Sequence, residues 1–287
     1  MTTTAELGAN PYFTHRFEGR VDEDATYAFA RATNDDNPRY ERREAVPPLF
    51  TATLILESQW RSQHERHVEV KGARGGAHGE HDVYYWGVVQ PGMALKWDSV
   101  AHSAHQTKGG VLVTQRILVT DMEGNPMVEH LWSSFHVAGT IDEEVGPPLP
   151  DHTFPEDVRS NLFATRTLTV DRDQAFRYAG VSGDHAGHAL TDDTARREGH
   201  PGKILQGMCT FGMISGQVVD MTAAGDPNRL RRLAVRFSAP TFPGKDIEVN
   251  VYDAGRTAEG GTAFAFEGIQ EGKAVIKHGR VELLPDA

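Results

Sequence analysis

The stretch whose reading decides the fold is YAGVSGDHAGHALTDDTARREGHPGKILQGMCTFG, residues 178–212. It sets Asp184, His185 and His188 in one glycine-containing loop and puts Gly207 at the head of an apolar run. Within it, Thr191 can cap a short helix reaching Arg197, with Gly199 as the stop; just upstream, Asp171 can cap a helix ending at Val181. Residues 207–221 are apolar nearly all round, the pattern of a helix buried on most faces. Gly207, Gly212 and Gly216 each cost about 1 kcal/mol relative to alanine in a helix interior. Something must therefore approach closely: a sheet packed on the helix, or a ligand chain running alongside. Strands follow at 231–237, 246–251, 262–267 and 274–284, with EGK (271–273) as a hairpin turn.

The same order of elements occurs earlier in the chain. A shift of 149 positions lays VDEDATYAFARATNDD (21–36) over VDRDQAFRYAGVSGDH (170–185). Val21, Asp22, Asp24, Ala30 and Asp35 then meet identical residues, and Tyr27, Phe29 and Thr33 meet Phe176, Tyr178 and Ser182. A second echo pairs VVQPGMALKW (88–97) with SAPTFPGKDIEVNV (238–251), each with a Pro-Gly turn opening a strand. The first half reads as strands at 95–100, 110–121 and 128–137, with a turn at MEGN (122–125). Between the halves, residues 140–158 are acidic and carry Pro147, Pro148, Pro150 and Pro155, so they read as an extended linker. One unit written twice is expected: residues 1–139, the linker 140–158, and residues 159–287.

On these residues the second half resembles the MaoC-like (R)-specific enoyl-CoA hydratase and 3-hydroxyacyl dehydratase family. The family's motif is Ser-Gly-Asp-x-Asn-Pro-x-His, followed after about sixteen residues by Ile-Leu-His-Gly and a Cys-Thr-x-Gly-like helix start. Ser182, Gly183 and Asp184 match, as do Ile204, Leu205, Gly207, Cys209, Thr210 and Gly212, while Gln206 replaces the second histidine. The first half looks like the family's FAS1-like dehydratase domain through ATNDDNPRY (32–40), AHGEHDVYY (77–85) and QPG (90–92). The resemblance implies an α+β double hot dog: two antiparallel sheets, each wrapped around a long central helix.

The motif is altered at its centre. Five positions after Asp184, where the family has its catalytic histidine, stands Ala189; His188 is four after, and the Asn and Pro are Ala186 and Gly187. The first half keeps Asn37 and Pro38 after Asp35 but has Tyr40 at the histidine position. Gly187, free to adopt φ > 0 where proline is locked, could turn the loop by one residue and deliver His188 to the usual place.

What the resemblance then implies is hydration of a trans-2-enoyl thioester or the reverse dehydration. His188 and Asp184 would hold a water, and the Gly207 N–H would face the thioester oxygen. His185, Ser182 and Met208 would touch substrate, and the degenerate first half would make room for the acyl chain. Arg231, Arg232 and Arg236 could grip the phosphates of coenzyme A, or simply line the wet face of a strand. The loop KGARGG (71–76) has the same two readings. The thioester would arrive on coenzyme A or an acyl carrier protein, and no cofactor is implied. Two alternatives remain open: an acyl-thioester-binding subunit without catalysis, and another hot-dog chemistry such as thioester hydrolysis.

Composition bounds these readings. The 287 residues hold 29 Lys plus Arg against 40 Asp plus Glu, a formal net charge of −11, which argues against nucleic acid as a partner. No apolar run approaches the roughly 18 residues of a membrane span, and the polar start MTTTAELGAN lacks a signal-peptide pattern, so a soluble, cytoplasmic protein is expected, as monomer or homodimer. Cys209 is the single cysteine, which excludes an internal disulfide. Fourteen histidines include four H-x-x-H pairs: His64 with His67, His78 with His81, His102 with His105, and His185 with His188. A metal is a reading of that spacing, but the pairs fall in unlike contexts and no thiol accompanies them. Packing is the expected role of His78, and His102 and His105 read as a solvated strand connection.

Overall fold

The structure, a computed structural model, describes residues 15–64 and 68–285. The first half runs β1 (His15–Arg20), α1 (Glu23–Ala32), α2 (Pro38–Glu41), α3 (Thr51–His64), β2 (Gly76–Tyr85), β3 (Ala94–Thr107), β4 (Gly110–Asp121) and β5 (Pro126–Val137). The second half repeats that order with one added helix: β6 (Leu162–Leu168), α4 (Gln174–Ser182), α5 (Gly187–Leu190), the added α6 (Asp192–Arg197), α7 (Gly207–Ala223), then β7 (Leu230–Phe237), β8 (Ile247–Arg256), β9 (Thr262–Gln270) and β10 (Lys273–Leu283).

The strands form one sheet in the order β1-β3-β4-β5-β2-β7-β10-β9-β8-β6, every neighbouring pair antiparallel. Read from its two ends, the order is the same, so the repeat in sequence is a two-fold relation in space. The expectation of two sheets is corrected here: β2 and β7, the inner edge of each half, would expose unpaired N–H and C=O groups if apart. They pair instead, Glu80 opposite Arg236 and Val83 opposite Leu233, and fuse the halves into one ten-stranded sheet. The helix α7 packs against all five strands of its half, and α3 against β1, β3, β4 and β5.

The two helix starts diverge despite their identical aspartates. Asp22 caps α1, its Oδ1 accepting from Ala25 N at 2.8 Å. Asp171 does not cap α4, which begins later with Asp173 at the N-cap and no side-chain bond there. Asp171 pairs instead with Arg177, whose guanidinium also donates to Arg31 O and Asn34 Oδ1, tying α4 to α1. As expected, Thr191 caps α6 by accepting from Thr194 N at 3.2 Å, and Gly199 beyond it has φ 89°.

Of the glycines of α7, Gly207 faces Phe237 of β7 at ordinary contact distance, while Gly212 and Gly216 meet something other than the sheet. A Cβ on Gly212 would lie 2.9 Å from Thr33 Cγ2, and one on Gly216 2.5 Å from Asp35 Oδ2. The close neighbour is the loop of the opposite half, whose distance along the chain hid it from the sequence.

The segment 140–158 is held rather than free. Thr140 bridges to Lys71 and Val145 to Ala104, and Arg232 donates to Pro150 O and Asp151 O. His105 lies inside β3, not in a connection, and its ring nitrogens meet Glu144 Oε2 at 3.3 Å and Pro147 O at 3.0 Å. Among the described residues no helix is long and apolar enough to cross a membrane.

Candidate functional site

The loop after α4 is built from its own hydrogen bonds. Gly183, in the left-handed region at φ 75°, ends α4. Ser182 is buried; its Oγ donates to Tyr178 O at 2.8 Å and accepts from Asp184 N at 3.1 Å. Asp184 Oδ1 accepts from Ala186 N at 3.1 Å. Burial raises the Asp184 carboxyl above the ordinary carboxylate range, against the pull of that N–H bond and of the His188 and His185 rings. Gln206, 1% exposed, donates from Nε2 to Ala175 O at 3.2 Å and Asp184 O at 3.0 Å. The residue that replaces the motif's second histidine thus clamps the Asp184 loop to α4 and to the start of α7.

His188 sits on α5 and its Nδ1 lies 2.9 Å from Glu198 Oε2, at the end of α6. Ala189 is fully buried in the core, so it is the ring of His188 that the turn presents outward. Gly187 does not take a positive φ, which corrects the expected one-residue turn. Its use is steric: a Cβ there would stand 2.8 Å from Thr194 Cγ2, so glycine lets α6 pack on α5. Asp184, His185, His188, Glu198, Gly207 and Met208 all border one cavity of about 1400 Å³. Gly207 opens α7, where backbone N–H groups lack intrahelical acceptors. The opposite wall comes from the first half and includes Trp60, His78, Leu112, Trp132 and Phe135.

From His78 in that wall a chain of three imidazoles runs inward, its inner two, His81 and His130, fully buried. Thr51 Oγ1 and His130 Nε2 are 3.0 Å apart, His130 Nδ1 and His81 Nε2 2.9 Å, and His81 Nδ1 and His78 Nε2 3.2 Å. His78 bonds further to the Glu80 backbone and stacks on Trp132, ring centroids 4.3 Å apart. Taking that backbone carbonyl as acceptor assigns one proton per ring, every donor pointing from Thr51 toward His78. Burial pushes His78 and His130 down to about 3 and His81 well below its ordinary value. His78 therefore both packs, as expected, and borders the cavity, as the sequence did not indicate.

The three arginines part company. Arg236, paired with Glu80 at 2.7 Å, borders the cavity. Arg232 is 6% exposed and clamps Asp82 through two bonds of 3.1 and 2.6 Å, and Arg231 lies over the Trp86 ring at 3.8 Å. Neither borders the cavity: Arg232 shares a strand face with Arg236 but is consumed by the buried Asp82 of the neighbouring strand, and Arg231, on the other face, borders a smaller cleft. Ala73, Gly75 and Gly76 of the KGARGG loop border it too.

The equivalent loop of the first half is filled by protein. Asp35, 8% exposed, faces Gly216, accepts from Asn37 N at 3.2 Å and is pushed up to about 6 chiefly by burial. Near the start of α3, where α7 has its large cavity, there is a cleft of about 150 Å³ bordered by Thr51, Tyr85, Trp86 and Arg231. Among the described residues no group of three or more His, Cys, Asp or Glu is arranged to hold a metal. The pair His64 and His67 lies outside the residues whose side chains are described.

Glu198 and the His78–His81–His130 chain were not legible as site features. The one signal for Glu198 was the longer interval between loop aspartate and long helix in the second half, which α6 fills.

Residues 155–263 match the family model described as a MaoC-like domain. The chain is 24% identical over 177 residues to a probable enoyl-CoA hydratase 2 of Dictyostelium discoideum, covering 61% of this chain and 60% of that protein. The alignment thus spans less than two thirds of that relative's length. Among solved structures, a MaoC-like dehydratase from Phytophthora capsici superposes with a TM-score of 0.80 at 20% identity, covering 96% of each chain. A conserved hypothetical protein of Mycobacterium tuberculosis with a double hot dog fold superposes with a TM-score of 0.59 at 14% identity, over 95% of this chain and 97% of that one. These likenesses show the fold.

Proposed function

From the MaoC-like domain that residues 155–263 carry, we propose that the chain adds water to trans-2-enoyl-CoA thioesters, giving (R)-3-hydroxyacyl-CoA, or runs the reverse dehydration. The observation that carries the reading is that Asp184, His188 and the Gly207 N–H border one cavity. In this reading the water oxygen bonds to Cβ as one of its protons passes to His188. Charge that develops on the thioester oxygen is met by the Gly207 N–H at the head of a 17-residue helix. Cα takes its proton from Asp184, whose burial favours the protonated form, and the proton on His188 returns to Asp184 after turnover. Water's H and OH are thereby both added. Met208 and His185 would contact the substrate, and Ser182, its hydroxyl already engaged, would shape the loop. The apolar wall from Leu112, Trp132 and Phe135 supports a first half that houses the acyl chain, and Arg236 at the rim suits a coenzyme A phosphate.

The test is a spectrophotometric one, with crotonyl-CoA and longer enoyl-CoAs, following loss of the conjugated thioester absorbance and release of free thiol. Hydration is expected without thiol release, and Asp184→Asn and His188→Ala should each lower it at least 100-fold, in the range general acid–base groups contribute, roughly 10²–10⁴. An active His188→Ala would show that the base is elsewhere. Binding of acyl-CoA with no hydration would favour the non-catalytic reading, which Ala189 at the motif's histidine position supports. Thiol release would favour a hydrolase.

A further inference from the structure

We propose that Glu198 is the positioning residue for His188, and that α6 exists in this chain to carry it; the inference rests on the hydratase reading above. A histidine moved by one position along the loop cannot keep the partners it would have had, because a short helix turns about 100° per residue. In this chain a different carboxylate meets it. Glu198 Oε2 stands 2.9 Å from His188 Nδ1, whereas the Asp184 carboxylate is engaged by Ala186 N.

Both partners are fixed through the backbone. His188 O accepts from Ile204 N at 3.2 Å, which anchors α5 to the segment leading into α7. Glu198 N donates to Thr194 O at 3.0 Å as α6 ends, and the helix is held at its start by Thr191 and by Asp192 Oδ1, which accepts from Lys203 N at 2.9 Å. Gly187 completes the fit, since a side chain there would strike Thr194 and push α6 away from α5. The helix has no counterpart in the first half, where Arg39 occupies the position related to His188 and no chemistry is assigned.

A carboxylate can only accept, so this contact makes Nδ1 the protonated nitrogen and leaves the lone pair on Nε2. That is the tautomer a base needs if Nε2 is to take a proton from water. Two carboxylates then divide the work: Glu198 holds the ring and its tautomer, and Asp184 handles the proton for Cα. The pair is partly exposed, 47% at Glu198 and 29% at His188, so its effect on stability is small while its effect on the ring's orientation is not.

The test compares Glu198→Gln, Glu198→Ala and Glu198→Asp in the full chain. With crotonyl-CoA, kcat should fall roughly tenfold or more in the Gln and Ala variants while KM moves less than about twofold, and Glu198→Asp should recover part of the loss. Melting temperatures should stay within a few degrees. Wild-type kcat in Glu198→Ala would overturn the inference. A second readout does not depend on activity: long-range ¹H–¹⁵N spectra should find His188 as the Nδ1–H tautomer in the wild type and a mixture in Glu198→Ala. An Nε2–H tautomer in the wild type would overturn the Glu198 inference alone. Absence of hydration in a wild type with the expected tautomer would overturn the hydratase reading and leave the contact standing.

Discussion

Acid should unfold this protein through its buried imidazoles, and the size of the effect can be worked out. His81 and His130 are both fully buried and bonded to each other; burial pushes His130 down to about 3 and His81 well below its ordinary value, so both are neutral in the folded state at mildly acidic pH. Unfolded, each returns to an ordinary value near 6.5. Below that value the unfolded chain binds protons that the folded chain cannot, so stability falls as pH falls, through the window from about 6.5 to about 3. Integrated from pH 7 to pH 5, His130 costs about 2 kcal/mol, and His81 adds to this in the same direction. His78, which borders the cavity, adds to this in the same direction. Asp35 works against it: held near 6 when folded, its carboxyl gains about 1 kcal/mol of stability over the same interval by taking up a proton that the unfolded chain releases.

One variant separates these contributions. His130→Gln keeps an acceptor for the Thr51 hydroxyl and removes one titrating ring, leaving Asp35 as it was, while His81 stays buried and loses only the lesser part of its shift that comes from the His130 ring. The variant is less stable at pH 7, but its deficit relative to wild type should shrink by about 2 kcal/mol on going to pH 5. Urea unfolding at pH 7, 6 and 5, at fixed ionic strength and with unchanged slopes, measures it. A deficit that stays constant across the three pH values would refute the reasoning, because it would mean His130 titrates alike in the folded and unfolded chains.

Two further substitutions test the packing. Gly216→Ala places a methyl 2.5 Å from Asp35 Oδ2 and should cost about 1–3 kcal/mol in urea unfolding, with most of the loss recovered in the double variant with Asp35→Ala. Arg232→Ala strips the buried Asp82 of its two charged bonds and should cost about 3–5 kcal/mol, whereas replacing both residues by apolar ones of similar size should cost far less.

What could be read from the sequence was what is local in the chain. Thr191 and Gly199 bracket α6 because capping needs residues only three or four apart, and the repeat stands out because identical loops recur in the same order. The seam is non-local: β2 carries a motif in its sequence, but nothing in it says that β7 is its neighbour. The same limit explains the glycines of α7, whose need for a close approach was visible while the approaching loop was not. The H-x-x-H of β2 misleads for a sharper reason. Residues three apart on a regular strand point to opposite faces. Here the register shifts between His78 and Glu80, and the irregularity turns both rings to one side, where His130 of β5 joins them. Gly79 sits in that irregularity, and a Cβ on it would come 2.8 Å from Phe135 Cβ, so the glycine permits the bulge that aligns the imidazoles. The altered loop follows the same logic on the other wall of the cavity. Gly187 permits the approach of α6, which brings Glu198 to His188. In both places a glycine beside a histidine was the visible mark, and its meaning depended on which distant element it let in.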